Sequence, residues 1–153
     1  WLKTGEIKNN IIRNTSEFIS TKGLEKSSAK ILPKDTVLMS MYGVNAGDIG
    51  ILDIETSVNQ ACCGMICDNK SNSAFLYYQL LYNQNFHRSQ SIGGAQENLS
   101  KDYIEKIQFL TPLNSIIKKC KLKKIVDTKK ILAKEDSLLK KTLNILLSKM
   151  AKG

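Results

Sequence analysis

The sequence predicts an α+β fold: a mixed, twisted sheet with short helices, followed by one long C-terminal coiled-coil helix. Two observations predict it. Two apolar runs, residues 36–41 and 49–54, flank a loop with two glycines, which is the pattern of strand, short loop and strand. Residues 114–152 contain neither glycine nor proline, so this segment is free to form one helix of roughly 57 Å.

The chain divides into a domain at residues 1–112 and a helix at residues 113–153. Because a strand-like run, residues 7–12, starts almost directly after Trp1, we expect the domain to lack an N-terminal part. Further elements are predicted as short helical turns within residues 16–31, a buried strand in residues 57–67, a helix capped by Ser73, a turn capped by Ser100 and a last strand at residues 107–110. The aromatic side chains of the helix after Ser73 are expected in the core.

The C-terminal helix carries one broad apolar stripe with lysines opposite it. Its members recur at intervals of seven and four residues: Ile125, Leu132, Leu139, Leu143, Leu146 and Met150. Thr128, Glu135 and Thr142 interrupt the heptad pattern, so the stripe is not an ideal dimeric zipper. A helix of this length cannot bury the stripe on a domain of about 110 residues, and we expect it to pack against another helix.

The loop at residues 42–48 combines polar side chains with glycines that permit positive φ and close approach to a partner. Two interpretations stay open, a recognition loop on a β-scaffold and an ordinary hairpin turn. A second loop, residues 87–99, holds an arginine, two glutamines, an asparagine and the only histidine. Amide side chains pair with adenine edges and arginine with guanine edges in the major groove, so this loop suits base reading.

Charge is uneven along the chain. Residues 1–117 carry 11 basic and 11 acidic side chains, whereas residues 118–153 carry 12 lysines and three acids. A basic segment attracts nucleic acid or acidic partners. The alternative is a solvated lysine face without a partner.

Enzyme chemistry is not indicated. The sequence lacks the phosphate-loop, nucleophile-elbow, zinc-peptidase and amino-methyltransferase motifs, and His87 is its only histidine. Asp48, Asp53 and Glu55 are close enough in sequence to hold a cation, although separate surface positions are the commoner arrangement. We therefore expect no catalysis, cofactor or metal in this chain.

The cysteines indicate a reducing compartment. The chain has four, Cys62, Cys63, Cys67 and Cys120, without a C-x-x-C pair, which argues against zinc and for free thiols. No apolar run reaches the roughly 18 residues of a membrane span. We expect a cytoplasmic protein that does not associate with membranes.

Six segments in order resemble the target recognition domain and conserved spacer helix of type I restriction-modification specificity subunits. They are spread along the length of the chain: residues 1–7 (WLKTGEI), 23–33 (GLEKSSAKILP), 37–50 (VLMSMYGVNAGDIG), 59–62 (NQAC), 94–99 (GAQENL) and 147–150 (LSKM). The resemblance implies a non-catalytic reader of one half of a split DNA target. It also implies partners: double-stranded DNA, the modification (methyltransferase) subunits, which bind S-adenosylmethionine, and the restriction subunit.

With the resemblance, both loops are expected to face the DNA major groove. The expected base or near-base contacts are Tyr42, Asn45, Arg88, Gln90, Gln96 and Asn98. Gly43 is a further expected DNA-binding residue, and the expected phosphate contacts are Lys3, Ser28 and Lys30. The helix stripe is expected to join a second copy or a second half-subunit. The alternative function is a helical assembly module that reads no DNA of its own.

Overall fold

The two apolar runs beside the glycine loop form an antiparallel strand pair at the centre of a four-stranded sheet. The computed structural model describes residues 1–91 and 98–151, and it confirms the predicted α+β fold with a mixed sheet. The strands are β1 (Ile11–Ile12), β2 (Ile31–Leu32), β3 (Val37–Ser40), β4 (Ile49–Leu52), β5 (Thr56–Ser57) and β6 (Cys62–Met65). The helices are α1 (Thr21–Glu25), α2 (Lys70–Tyr82), α3 (Gln84–Ser89), α4 (Lys101–Glu105), α5 (Asn114–Lys119) and α6 (Leu122–Met150).

The sheet has the strand order β1-β4-β3-β6. β1 runs parallel to β4, with Ile11 opposite Ile51, and the other two pairs are antiparallel. A separate two-stranded ladder joins β2 to β5. This arrangement places the loop between β3 and β4 at one end of the sheet.

Helix α2 supplies the other side of the core. Tyr77 and Leu80 are fully buried among β-strand side chains such as Val37 and Ile51. The predicted cap, Ser73, is wrong: α2 begins one turn earlier, because the Asn69 side chain accepts hydrogen bonds from two backbone amides of the first turn. Only part of the predicted aromatic core is buried, since the side chain of Tyr82 is 88% exposed.

Three predicted strands differ from the structure. The run at residues 7–12 is shortened to β1 because Lys8 and Asn9 adopt positive φ, which ends extended backbone. The strand at residues 57–67 is split by a turn in which the Cys62 amide donates to the Asn59 carbonyl, and β6 is only partly buried because it is an edge strand. Residues 107–110, all of them described, form no strand.

The C-terminal helix is interrupted at Cys120. This residue adopts extended backbone with ψ 144°, so the expected single helix becomes α5 and the 29-residue α6. The break lets Ile117 and Val126, one from each helix, both become buried, and both helices contact α2. No helix in the described part of the chain is long and apolar enough to cross a membrane.

The apolar stripe of α6 is exposed along the length of the helix. All six of its predicted members are between 45% and 78% exposed: Ile125, Leu132, Leu139, Leu143, Leu146 and Met150. Its packing against another helix stays a prediction.

Candidate nucleic-acid interface

Residues 42–48 form a loop with a defined backbone. Gly43–Asn45 is one 3-10 turn, and the Gly47 amide donates to the Ser40 carbonyl at 2.8 Å. Gly43 and Gly47 have φ of 76° and 79°, in the left-handed region that glycine adopts without strain. A Cβ on Gly47 would lie 2.7 Å from Cγ of Arg88, so helix α3 packs directly against this glycine.

A polar network below the loop holds it in place. Gln84 Nε2 donates to the Gly47 carbonyl at 2.8 Å and to Asn9 Oδ1 at 2.8 Å. Asn9 Oδ1 also accepts from the Ile49 amide, and Asn9 Nδ2 donates back to Gln84 Oε1. The start of β4, the loop and α3 are thereby joined by hydrogen bonds.

Arg88 and Asp48 form an ion pair at the base of the loop. Arg88 Nη2 lies 2.5 Å from Asp48 Oδ1, and the aspartate side chain is almost fully buried. A buried carboxylate requires such a partner, because an unpaired charge in this environment is costly. Arg88 therefore has a structural role, and its predicted contact with a base stays a prediction.

The two loops meet through a β-bridge. Tyr42 and Asn98 are paired as antiparallel neighbours, and the Leu99 amide donates to the Met41 carbonyl at 2.7 Å. The Tyr42 side chain is 43% exposed and Asn98 is exposed, so both side chains are available beside the bridge. Gln90, directly after α3, is also exposed. The predicted contact Gln96 lies outside the described residues.

The N-terminal segment runs beside the first loop. A Cβ on Gly5 would lie 3.8 Å from Asn45 Nδ2, so this segment and the loop are neighbours. Lys3 is exposed and lies 2.5 Å from Glu17, and this hydrogen bond raises the pKa of the Lys3 ammonium. Its charge is therefore shared with a carboxylate, which competes with the predicted phosphate contact.

Ser28 and Lys30 lie on the exposed segment before β2. Ile31 pairs with Ser57, so Lys30 falls level with Val58, which in turn bridges Leu2. The register thus places the predicted phosphate residues of both segments near the same edge of the protein.

His87 does not belong to the exposed surface. It lies in α3, where its side chain is 3% exposed and Nδ1 lies 2.8 Å from the Tyr103 hydroxyl. Burial lowers the pKa of the imidazole, so the neutral form is favoured. Its position and neutrality indicate a structural residue.

The acidic and thiol groups form no metal site among the described residues. Asp48 pairs with Arg88 and Asp53 with Arg13, so two of the three neighbouring acids are bound to separate basic partners. All four cysteines are free, and burial raises the pKa of the Cys62 thiol to about 12. The thiols at Cys62, Cys63 and Cys67, whose pKa values are all raised by burial, are thus kept protonated.

Two important residues carried no sequence signal. Asn9 and Gln84 hold the loop together, but they are 75 positions apart, and neither belongs to a motif of fixed spacing. Val44, whose side chain is 95% exposed at the tip of the loop, gave no signal either. Only the folded arrangement shows that Asn9 and Gln84 hold the loop and that Val44 is exposed at its tip.

The chain was also compared with models of known protein families. The family model described as type I restriction modification DNA specificity domain matches residues 1–147. The matched region contains the sheet, both loops and all but the last turn of α6.

Proposed function

Because the chain belongs to the type I restriction modification DNA specificity domain family, we propose that its domain, residues 1–112, reads one half of a bipartite DNA target. The reading surface is the pair of loops at residues 42–48 and 87–99. The observation that carries this proposal is the bridge between Tyr42 and Asn98, which brings the first loop beside the described end of the second loop.

Base recognition is assigned to amide and aromatic side chains on this surface. Asn45, Gln90 and Asn98 offer paired donor and acceptor groups of the kind that adenine edges accept, and Tyr42 lies opposite Asn98 on the bridge. Loss of one bidentate base interaction costs about 1–3 kcal/mol and relaxes one target position. We retain Gln96 and Arg88 as base contacts, Gly43 as the point of close backbone approach, and Lys3, Ser28 and Lys30 as phosphate contacts.

The helical part, residues 113–153, is assigned to assembly. The exposed stripe of α6 suits another helix, supplied by a second copy of this chain or by a second half-subunit. We also propose that the modification and restriction subunits dock on this chain. Methyl transfer and DNA cleavage then belong to those partners, and this chain contributes sequence recognition.

An assembly module without DNA reading is the second candidate function. The exposure of six large apolar side chains along α6 favours it, because such a stripe is typical of protein–protein interfaces. The two functions differ in salt dependence: phosphate contacts make affinity fall steeply with salt, whereas helix pairing responds weakly.

The test is selection from a randomised duplex pool with sequencing, at low and moderate salt. The expected result is an enriched motif of a few base pairs, of which Asn98→Ala relaxes one position. The matched control is Asn144→Ala, because Asn144 is exposed on α6 far along the helix and is expected to leave the motif unchanged. Binding without a motif, or an equal effect of both variants, would overturn the assignment.

A further inference from the structure

Lys130 connects helix α6 to the domain by a partly buried ion-pair cluster. Its side chain is 14% exposed, and Nζ lies 2.5 Å from Asp35 Oδ1 and 3.5 Å from Asp53 Oδ1. The two carboxylates have further partners: Arg13 is bound to Asp53 at 3.2 Å and Lys70 to Asp35 at 3.5 Å. One lysine thus fastens the helix to the segments before β3 and after β4.

The other ion pairs of α6 differ in kind. Lys123 pairs with Asp127 and Lys140 with Asp136, each within the helix and four residues apart, on exposed side chains. Such pairs contribute little to the free energy of folding, and they do not connect the helix to the domain. In the described part of the chain, Lys130 is therefore the lysine whose ion pairs link α6 to the domain.

Lys130 lies close to the buried residue of α6 and far from the C-terminal end of the helix. Val126, the buried residue of α6, lies one turn earlier, about 6 Å along the axis, whereas Met150 lies about 36 Å away. Beyond Lys130 an open groove of about 520 Å³ separates the helix from the β1 segment. A lateral shift of about 1 Å at Lys130 therefore becomes roughly 6 Å at the helix end, which exceeds the rise of about 3.4 Å per base pair.

We propose that Lys130, held by Asp35 and Asp53, fixes the angle of α6 and thereby sets the number of base pairs between two half-sites. Lys130 is a positioning residue that touches no DNA. The proposal rests on the proposed function, because the spacing is defined only between two reading surfaces joined through the helix stripe.

The test uses the protein assembled through its stripe, with half-sites separated by a variable number of random base pairs. Lys130→Met removes the charge at similar length and is expected to broaden the selected spacing by at least one base pair on either side. The motif of each half-site is expected to stay the same, and Lys130→Arg to retain the single spacing. The matched control is Lys140→Met, which removes an ion pair within α6.

A second measurement is independent of DNA. Nitroxide labels are attached through a ketone-bearing amino acid at positions 26 and 148, both exposed, and the distance distribution is measured by pulsed electron resonance. A narrow distribution is expected in the unaltered chain and in Lys140→Met, and a broadened one in Lys130→Met. If Lys130→Met does not fold, Asp53→Asn provides the same comparison, because it removes charge and keeps an acceptor for Arg13.

The two measurements distinguish a failure of the proposed role of Lys130 from a failure of the proposed function. Unchanged distances in the anchor variants would overturn the proposal, and so would a broadened distance distribution combined with a fixed half-site spacing. If no motif is enriched in any variant, the proposed function has failed. The proposed role of Lys130 in spacing then fails as well, because a spacing exists only between two reading surfaces.

Discussion

Gly47 occupies a position where a side chain conflicts with both the backbone and a neighbour. Its φ is 79°, and an added Cβ would approach Cγ of Arg88 to 2.7 Å. We expect Gly47→Ala to lower the free energy of unfolding by about 2–4 kcal/mol, from left-handed strain and overpacking together. Urea unfolding measures this change.

Gly43→Ala is the matched control, because Gly43 has nearly the same φ, 76°, but no atom of the described residues within 4 Å of the added Cβ. It is expected to cost only the backbone strain, about 1–2 kcal/mol. Equal destabilisation in the two variants would mean that the packing against Arg88 is not significant.

His87 makes stability depend on pH. Burial lowers its pKa in the folded protein below the ordinary value of 6.5. Below about pH 6.5 the unfolded chain binds a proton that the folded protein excludes, so the free energy of unfolding decreases as the pH falls through this range. We expect His87→Gln to show a flatter profile between about pH 7.5 and about pH 5.5 in urea unfolding; parallel profiles would contradict the prediction.

The polar residues of the loops could be predicted from the sequence, but the residues that hold the loops in place could not. Tyr42, Asn45 and Asn98 were recognised as polar residues in glycine-containing loops, because turn chemistry is local. The hydrogen bonds between Asn9 and Gln84 join residues 75 positions apart and depend on the tertiary fold. The pairing of Arg88 with Asp48 was missed for the same reason.

Among the elements, α6 combines a predictable pattern with an unpredictable start. Its apolar period is intrinsic to the sequence, and the stripe is exposed as expected. The break at Cys120 is marked by no glycine or proline in the sequence, and it accompanies the burial of Ile117 and Val126. β6 and the predicted strand at residues 107–110, which does not form, show likewise that pairing partners decide which apolar runs become strands.

The stripe of α6 predicts self-association. Because Leu139 and Leu146 lie one heptad apart and are more than half exposed, Leu139→Lys with Leu146→Lys is expected to weaken helix pairing about tenfold or more. Sedimentation velocity over a range of concentrations measures the change. The control, Lys134→Gln with Lys141→Gln, alters the opposite, lysine-bearing side; an equal effect there would contradict pairing through the stripe.

For the whole molecule, the separation of charge predicts that the basic segment attracts DNA of any sequence, whereas the neutral domain reads the motif. The triple variant Lys124→Gln, Lys134→Gln and Lys149→Gln is expected to weaken binding to all duplexes alike. The slope of the logarithm of the binding constant against the logarithm of the salt concentration should become shallower by about 0.9 for each phosphate that is no longer neutralised. The motif should stay unchanged. Fluorescence anisotropy at several salt concentrations measures both the affinity and the slope.

The control for this variant keeps the same net charge. Lys34→Gln, Lys101→Gln and Lys106→Gln also remove three exposed lysines, but from the neutral part of the chain. A smaller effect is expected from them. If both triples reduce the slope equally, total charge and not the basic segment determines the attraction.

The bridge between Tyr42 and Asn98 has an evolutionary consequence. Because the bridge and the hydrogen bond from the Leu99 amide to the Met41 carbonyl join the two loops, a substitution that shifts one strand of the bridge also shifts the other. Specificity at the two loops would therefore change in concert, with strong epistasis between them. New target preferences would arise more readily from exchange of the whole loop pair than from accumulated single substitutions.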